Sequence, residues 1–306
     1  MGRELAESLA AARRVFDEAD RALADEPGEA TGFRLSRLCF EGPAEELQLT
    51  ANTQPAILAV SVAAAEALGE KGVHADYVAG HSLGEYSALV AAGAISLADA
   101  VRTVRRRGRY MQEAVPAGVG AMAALLGMEL TAIEEVCREA AQGEVVSPAN
   151  LNSPGQVVIA GHRGAVLRTV DLAKTRGAKR AILLNVSAPF HCALMQPAQD
   201  RLAQDLDRLA IGDLRIPLVT NADARVVEPA NSAATVRDGL KRQVTSPVRW
   251  EESMRRLFDE GVELFIEVGP GKVLSGLARQ INRQAECLHV EDAASLGEVI
   301  SRLRNR

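Results

Sequence analysis

Ala75–Gly93, which reads ADYVAGHSLGEYSALVAAG, predicts a strand, a tight turn and an alanine-rich helix in succession. The turn at Gly80–Gly84 matches G-x-S-x-G, a pattern in which a serine occupies a strained bend between strand and helix. Glycine is expected on both sides because the bend brings backbone against backbone. The pattern predicts a nucleophilic Ser82, with the Leu83 amide at the helix N-terminus aimed at a developing oxyanion. The competing interpretation is a serine in an ordinary turn, since so short a pattern also arises by chance.

Composition restricts the class of protein. The chain has 306 residues, of which 47% are hydrophobic and 25% charged, with a net charge of −5. This length gives one large domain or two smaller ones, and the core must be aliphatic because only 3% of the residues are aromatic. We find no apolar run long enough to cross a bilayer. The acidic total argues against a nucleic-acid binder, although not against a local basic patch.

Cysteine usage and the first residues indicate the compartment. The four cysteines form no C-x-x-C pair, which argues against a disulfide framework or a zinc ribbon and fits a reducing environment. The opening, MGRELAESLAAARRVF, predicts a charged helix without the apolar segment of a signal peptide. We therefore expect a cytoplasmic protein with no nucleic-acid or membrane partner.

Residues 118–187 alternate strands and helices differently from the rest of the chain. Their predicted order is strand, helix, strand, strand, helix, strand, which is typical of a ferredoxin-like unit. The predicted segments are Gly120–Gly127, a helix capped by Thr131 and Glu134, Glu144–Ala149, a turn at Asn150–Gly155, Gln156–Ala160, Gly164–Thr175 and Arg180–Val186. We interpret 118–187 as a small subdomain inserted into a larger one.

The flanking segments predict the larger domain. Strands and helices alternate before and after the insert, with strands expected at Ile216–Thr220 and Val262–Val268. This alternation favours one doubly wound parallel sheet. The predicted fold class is α/β. A discontinuous, parallel-sheet, α/β-hydrolase-like catalytic domain of 1–117 and 188–306 carries the inserted ferredoxin-like (βαββαβ) subdomain.

A serine nucleophile requires a base, and five histidines are available. His81 adjoins Ser82, so its side chain should diverge from the hydroxyl and pack or hydrogen-bond beneath the turn. His74 and His162 lie in polar, turn-like stretches, and His289 lies in a late strand. His191 follows the last strand of the insert, where the chain returns to the larger domain and a cleft is expected. The residues alone favour His191 without deciding the matter.

Seven segments, one of them part of the stretch quoted above, carry a resemblance to a known family. They are Gly42–Leu58, Gly80–Gly93, Arg107–Gly127, Asn150–Gly161, Ser187–Met195, Arg242–Trp250 and Glu267–Leu277. In this order and spacing, the chain closely resembles the malonyl-CoA:acyl-carrier-protein transacylases of bacterial fatty-acid synthesis. It resembles polyketide acyltransferase domains more distantly.

The resemblance implies a two-step acyl transfer without a cofactor. Ser82 would take the malonyl group from malonyl-CoA, and the phosphopantetheine thiol of acyl carrier protein would then accept it, with ping-pong kinetics. His191 matches the family's base. The family orients that histidine with a backbone carbonyl, which falls at Gln243 in this sequence.

The resemblance also assigns the substrate carboxylate to Arg107. The helix that Ser96 opens, with Asp99 three residues on as in a capping box, places Arg107 at the edge of its apolar stripe. A buried guanidinium can bind a carboxylate through two hydrogen bonds. The opposite face of this helix carries Arg102, Arg105, Arg106 and Arg109. That face is expected to be solvated or, alternatively, to dock the acidic carrier protein.

Other positions match residues that line the family's cleft. Phe190 matches the residue common in malonyl-selective members, where its ring would crowd the α-methyl group of methylmalonyl. Asn152, Asn221 and His81 are further candidates for the cleft lining, although an asparagine that merely forms a turn is almost as good an interpretation for the first two.

The family begins with a short strand and a GQGSQ-type loop, and Met1-Gly2-Arg3 matches the end of that segment. We therefore expect this chain to lack that strand and the second backbone donor of the oxyanion hole, with a start assigned at an internal methionine. Competing hypotheses are a serine (thio)esterase on the same turn, a non-catalytic carrier-protein-binding module, and a free-standing acyltransferase serving polyketide synthases. We expect a monomer.

Overall fold

A computed structural model describes residues 1–24, 26–186 and 188–305. Ser187, the predicted last residue of the subdomain, lies outside this part of the chain. The helices are α1 (Arg3–Ser8), α2 (Ala10–Ala24), α3 (Leu35–Glu41), α4 (Ala44–Gln48), α5 (Thr50–Glu70), α6 (Gly84–Ala91), α7 (Leu97–Glu113), α8 (Leu130–Ala141), α9 (Arg163–Thr175), α10 (Gln196–Arg208), α11 (Ala233–Gln243), α12 (Trp250–Asp259), α13 (Val273–Ile281) and α14 (Ala293–Arg304). The strands are β1 (Val78–Ala79), β2 (Gly120–Leu126), β3 (Val146–Ser153), β4 (Gln156–His162), β5 (Arg180–Leu183), β6 (Leu218–Val219), β7 (Val226–Val227), β8 (Leu264–Val268) and β9 (Glu286–Val290).

The larger part of the molecule contains parallel strand pairs, as predicted, but not in one sheet. β1 pairs in parallel with β6, β7 adds to β6 in the antiparallel sense, and β8 pairs in parallel with β9. Within the described residues these form two separate sheets, which corrects the expectation of a single doubly wound sheet. The predicted strand Ile216–Thr220 shortens to Leu218–Val219. Beyond it the Asn221 N–H donates to a buried carboxylate instead of to a strand.

An aliphatic core surrounds α5, which is buried along most of its length. α7 crosses α5 closely at Gly108, where a Cβ atom would lie 2.6 Å from the Cα of Ala51. Only glycine permits this approach between the two backbones. The crossing brings Gln54 of α5 within hydrogen-bond distance of Arg107 on α7.

The segment predicted to be an insert contains one antiparallel sheet with strand order β3-β4-β2-β5, and its elements follow the predicted order. Two local predictions are wrong. Asn150 to Ser153 continue β3 instead of forming a turn, because Leu151 N donates to the Val248 carbonyl at 2.9 Å and joins the insert to the larger part. α8 begins at Leu130, and Thr131 does not cap it.

Among the described residues, no helix combines the length and the apolar character needed to cross a membrane.

Candidate active site

Ser82 sits in a strained bend between β1 and α6. Its φ angle is 51°, in the left-handed region that non-glycine residues rarely adopt. Gly80 is required, because a Cβ atom there would lie 2.0 Å from the Gly84 carbonyl. The same expectation for Gly84 is wrong, since a Cβ at that position would meet nothing within 4 Å. The bend leaves the Ser82 hydroxyl at the N-terminal end of α6.

His191 is the histidine that the fold brings to Ser82. Its Nε2 lies 2.7 Å from Ser82 Oγ, and its Nδ1 lies 2.9 Å from the backbone oxygen of Gln243. A carbonyl oxygen only accepts, so Nδ1 carries the proton and Nε2 is free to accept the serine proton. Burial, reinforced by the nearby Arg107 charge, lowers the pKa of His191 to about 3. The imidazole is therefore a neutral base at physiological pH.

Three of the other histidines have partners elsewhere, and His74 is exposed. His81 Nε2 donates to Asn152 Oδ1 at 2.9 Å, and its ring lies 5.6 Å from that of Trp250. His162 accepts from a backbone amide within the insert, and His289 lies 3.8 Å from Glu291.

Arg107 is buried, with 1% of its surface exposed. Its Nη1 donates to Gln54 Oε1 at 2.7 Å, and its Nη2 donates to Ser82 Oγ at 3.1 Å and to Gln243 Oε1 at 3.0 Å. Its Nε finds no partner within the described residues. Burial lowers the pKa of the guanidinium. A buried cation beside the nucleophile, with an unused donor, is arranged to receive an anionic group.

Gln243 joins both catalytic candidates. The family resemblance implied a role for its backbone carbonyl only. Its side chain is also buried, accepting from Arg107 through Oε1 and donating through Nε2 to the Ser82 carbonyl at 3.0 Å.

Asn221 supports the bend from below. Its Oδ1 accepts from the Ser82 amide at 2.6 Å, and its Nδ2 donates to the Gly80 carbonyl at 2.7 Å. Both bonds connect the residues after β6 to the bend, so Asn221 does more than shape its own turn.

Phe190 is half-buried between the cores of the larger part and the insert. Leu83 is the N-cap of α6, and no described residue accepts from its amide.

Two residues of the site were missed from the sequence. Gln54 contacts Arg107, and Glu85, in the first turn of α6, accepts from Gln243 Nε2 at 2.7 Å. Burial raises the pKa of Glu85 to about 7. The one signal available was an acidic residue three positions after the nucleophile, which reads equally well as ordinary helix N-terminal charge.

The four arginines on the other face of α7 are not a free basic surface. Their guanidinium groups bind the end of α2 and the segment that follows it: Arg102 donates to the Ala22 carbonyl, Arg105 and Arg109 pair with Glu29, and Arg106 pairs with Glu26. Arg105 is only 7% exposed. This corrects the expectation of a solvated face and removes the main reason for placing a carrier-protein contact there.

A metal site is not found in the described residues: no three of their histidine, cysteine, aspartate or glutamate side chains form a group that could hold an ion.

Comparison with known proteins identifies the family. The model of the acyl transferase domain matches residues 1–305. This chain belongs to the acyl transferase family. Among curated members, the malonyl CoA-acyl carrier protein transacylase of Bacillus subtilis (strain 168) is 50% identical over 99% of this chain and 93% of that protein. The Escherichia coli (strain K12) transacylase is 49% identical over 91% of this chain and 87% of its own length.

Solved structures of the acyl transferase family share the fold. The malonyl CoA-acyl carrier protein transacylase of Coxiella burnetii superposes with a TM-score of 0.93 at 43% identity, covering 99% of this chain and 93% of that one. A malonyl-transacylase in complex with a type II PKS acyl-carrier protein gives 0.92 at 45% identity, covering 98% and 94%. The resemblance predicted from the motifs is confirmed, and the fold is a mixed α/β fold of this family.

Proposed function

We propose that this chain transfers the malonyl group of malonyl-CoA to the phosphopantetheine thiol of acyl carrier protein, through a malonyl ester on Ser82. One observation carries the proposal. Ser82 Oγ lies 2.7 Å from a neutral, buried imidazole and 3.1 Å from a buried guanidinium. The first group activates a nucleophile, and the second recognises a carboxylate beside it.

The first half-reaction moves one proton through His191. As Ser82 Oγ attacks the thioester carbonyl, its proton passes to His191 Nε2, and the Leu83 amide stabilises the oxyanion. The Gln243 carbonyl accepts from Nδ1 and stabilises the imidazolium. When the C–S bond breaks, His191 returns the proton to the leaving CoA sulfur. In the second half-reaction the carrier-protein thiol gives its proton to His191 as its sulfur attacks the ester, and His191 passes that proton to Ser82 Oγ when the ester C–O bond breaks.

Arg107 selects the acyl group. Its contact with Ser82 Oγ in the free enzyme is replaced by the malonyl carboxylate, which can accept from two guanidinium nitrogens at once. Phe190, placed between the two cores, would crowd an α-methyl substituent. His81 and Asn152 line the other side of the cleft through their mutual hydrogen bond.

The organisation of the chain supports a cleft enzyme. We assign 118–187 to a ferredoxin-like subdomain, on the strength of its βαββαβ order and its strand order, and 1–117 with 188–306 to the α/β-hydrolase-like catalytic domain. The enzyme acts in the cytoplasm as a monomer and needs no cofactor beyond its two substrates. We place the enzyme in fatty-acid synthesis because its sequence motifs resemble those of the transacylases of that pathway.

A second carrier protein is also proposed, because one structural neighbour is bound to a type II PKS acyl-carrier protein. A thioesterase is less favoured. A simple esterase needs no buried cation next to its nucleophile, whereas Arg107 contacts Ser82 Oγ directly.

Initial-rate kinetics test the proposal. Malonyl-CoA and holo acyl carrier protein are varied together, and malonyl transfer and malonate release are measured in the same samples. We expect parallel double-reciprocal lines and transfer faster than hydrolysis. Malonate release that outruns transfer would establish the esterase instead. A fatty-acid carrier protein and a polyketide carrier protein, compared as acceptors, separate the two pathways.

A further inference from the structure

Glu85 is a buried carboxyl group that touches none of the reacting atoms. It lies in the first turn of α6 and is 1% exposed. Burying a carboxylate is costly unless hydrogen bonds compensate it. The contacts of Glu85 therefore indicate why a carboxylate is kept beneath the nucleophile.

One oxygen of Glu85 accepts two hydrogen bonds from residues that are far from it in the chain. Oε2 accepts from Gln243 Nε2 at 2.7 Å and from the Asn221 backbone N–H at 3.1 Å. Asn221 also supports the Ser82 bend, and Gln243 contacts Arg107. Glu85 thus holds the two residues that support the nucleophile and the cation.

Glu85 fixes the orientation of the Gln243 side-chain amide. Its Nε2 lies between Glu85 Oε2, which also accepts from the Asn221 N–H, and the Ser82 carbonyl, which can only accept. Its Oε1 is consequently turned to Arg107 Nη2, 3.0 Å away. The reverse orientation would place donor against donor at Arg107 and acceptor against acceptor at Glu85.

We propose that Glu85 is a positioning residue, which holds the Gln243 amide so that its oxygen aims Arg107 at the carboxylate of the acyl group. This inference rests on the proposed function. His191 is held by the Gln243 backbone, which α11 fixes independently of the side chain. Loss of Glu85 therefore affects Arg107, and through it the acyl groups that carry a carboxylate, more than it affects the base.

The test compares acylation of Ser82 by malonyl-CoA and by acetyl-CoA, as kcat/KM. Glu85→Ala removes the acceptor, and the ratio of malonyl to acetyl acylation should fall roughly 10- to 100-fold, the effect of one lost hydrogen bond in a charged network. Glu85→Gln keeps an oxygen that can accept from both donors. Its ratio should stay within about threefold of the wild type.

Several results would overturn the proposal. Equal losses with both acyl donors would show a purely structural role, and a collapse of the ratio in Glu85→Gln would show that charge, not orientation, matters. If circular dichroism shows that Glu85→Ala does not fold, Glu85→Asp takes its place, because it draws the carboxylate back by one methylene. The ratio of malonyl to acetyl acylation is then measured for that variant. A wild-type enzyme unable to transfer malonyl to carrier protein would instead contradict the proposed function.

Discussion

His191 Nδ1 donates to the backbone carbonyl of Gln243 across 2.9 Å, so a peptide group completes this serine–histidine pair where many such sites have a carboxylate. A carbonyl fixes the tautomer without adding a negative charge. The base is weak mainly because burial lowers the pKa of His191 to about 3. The neighbouring Arg107 cation acts in the same direction.

The first prediction concerns the pH dependence of acylation. Because His191 stays neutral down to about pH 3, the single-turnover rate of Ser82 acylation should not fall with protonation of this histidine between about pH 8 and about pH 5. Rapid-quench measurements with malonyl-CoA check this. A loss of rate with a midpoint near the ordinary histidine value of 6.5 would contradict it.

The same shift predicts the pH dependence of stability. The unfolded chain binds a proton at His191 near pH 6.5, whereas the folded chain does so only near pH 3. The neutral His191 therefore makes its full contribution to the unfolding free energy above pH 6.5. This contribution, at most about 5 kcal/mol, is lost as the pH falls towards 3. The unfolding free energy of His191→Gln should fall less steeply over this range than that of the wild type. Exposed His74→Gln is the matched control, which should follow the wild-type curve.

Arg107→Ala should reverse the acyl preference. Removing one partner of a buried charge pair costs about 2–5 kcal/mol, so malonyl transfer should drop at least roughly 30-fold. Acetyl transfer should rise, because the site no longer holds an unpaired cation against a neutral acyl group. Arg107→Lys keeps the charge without the two-nitrogen contact, and its malonyl rate should be intermediate. Unaltered malonyl transfer in Arg107→Ala would refute the assignment of this residue.

Phe190→Ser should admit methylmalonyl. A single pocket contact of this kind discriminates by about 1–3 kcal/mol, so the kcat/KM ratio of methylmalonyl to malonyl should rise about tenfold or more. The two CoA esters, compared with the same carrier protein, measure it. A ratio equal to that of the wild type would contradict this prediction and would place the α-carbon of the acyl group away from the Phe190 ring.

Glu29 is predicted to be a stability residue. Its side chain is 4% exposed and pairs with Arg105 and Arg109, so Glu29→Ala removes the carboxylate from one buried and one partly buried cation and should cost about 3–5 kcal/mol of unfolding free energy. Glu41, paired with Arg37 at 61% and 77% exposure, is the control, and its replacement by alanine should cost less than about 1 kcal/mol. Chemical denaturation measures both. Similar values for the two variants would show that the arginine network does not stabilise α7.

Sequence patterns predicted those parts of the molecule that depend on residues close together in the chain. The strand, bend and helix around Ser82 follow from glycine and hydrophobic spacing, and the Ser96 cap forms as expected, accepting from the Asp99 amide at 3.1 Å. The partners of the site were not predictable in this way. Gln243 and Glu85 are 158 positions apart in the chain.

The arginines of α7 show the same limit. Helical periodicity placed four of them on one face and left their surroundings undecided. Their carboxylate partners come from Glu26 and Glu29, about 80 positions away, and a helical projection contains no information on such contacts. The prediction of a single parallel sheet was wrong for a related reason. Strand-like runs of residues predict where strands form but not which strands pair.

The most direct measurement of the central claim is the fate of malonyl on Ser82. The enzyme is mixed with radiolabelled malonyl-CoA, quenched, and mapped by peptide mass spectrometry, and a second portion is chased with holo acyl carrier protein before quenching. We predict label on the peptide that contains Ser82, its complete transfer to the carrier-protein thiol in the chase, and no label in Ser82→Ala. Label on another residue, or label on Ser82 that the carrier protein cannot remove, would contradict the account.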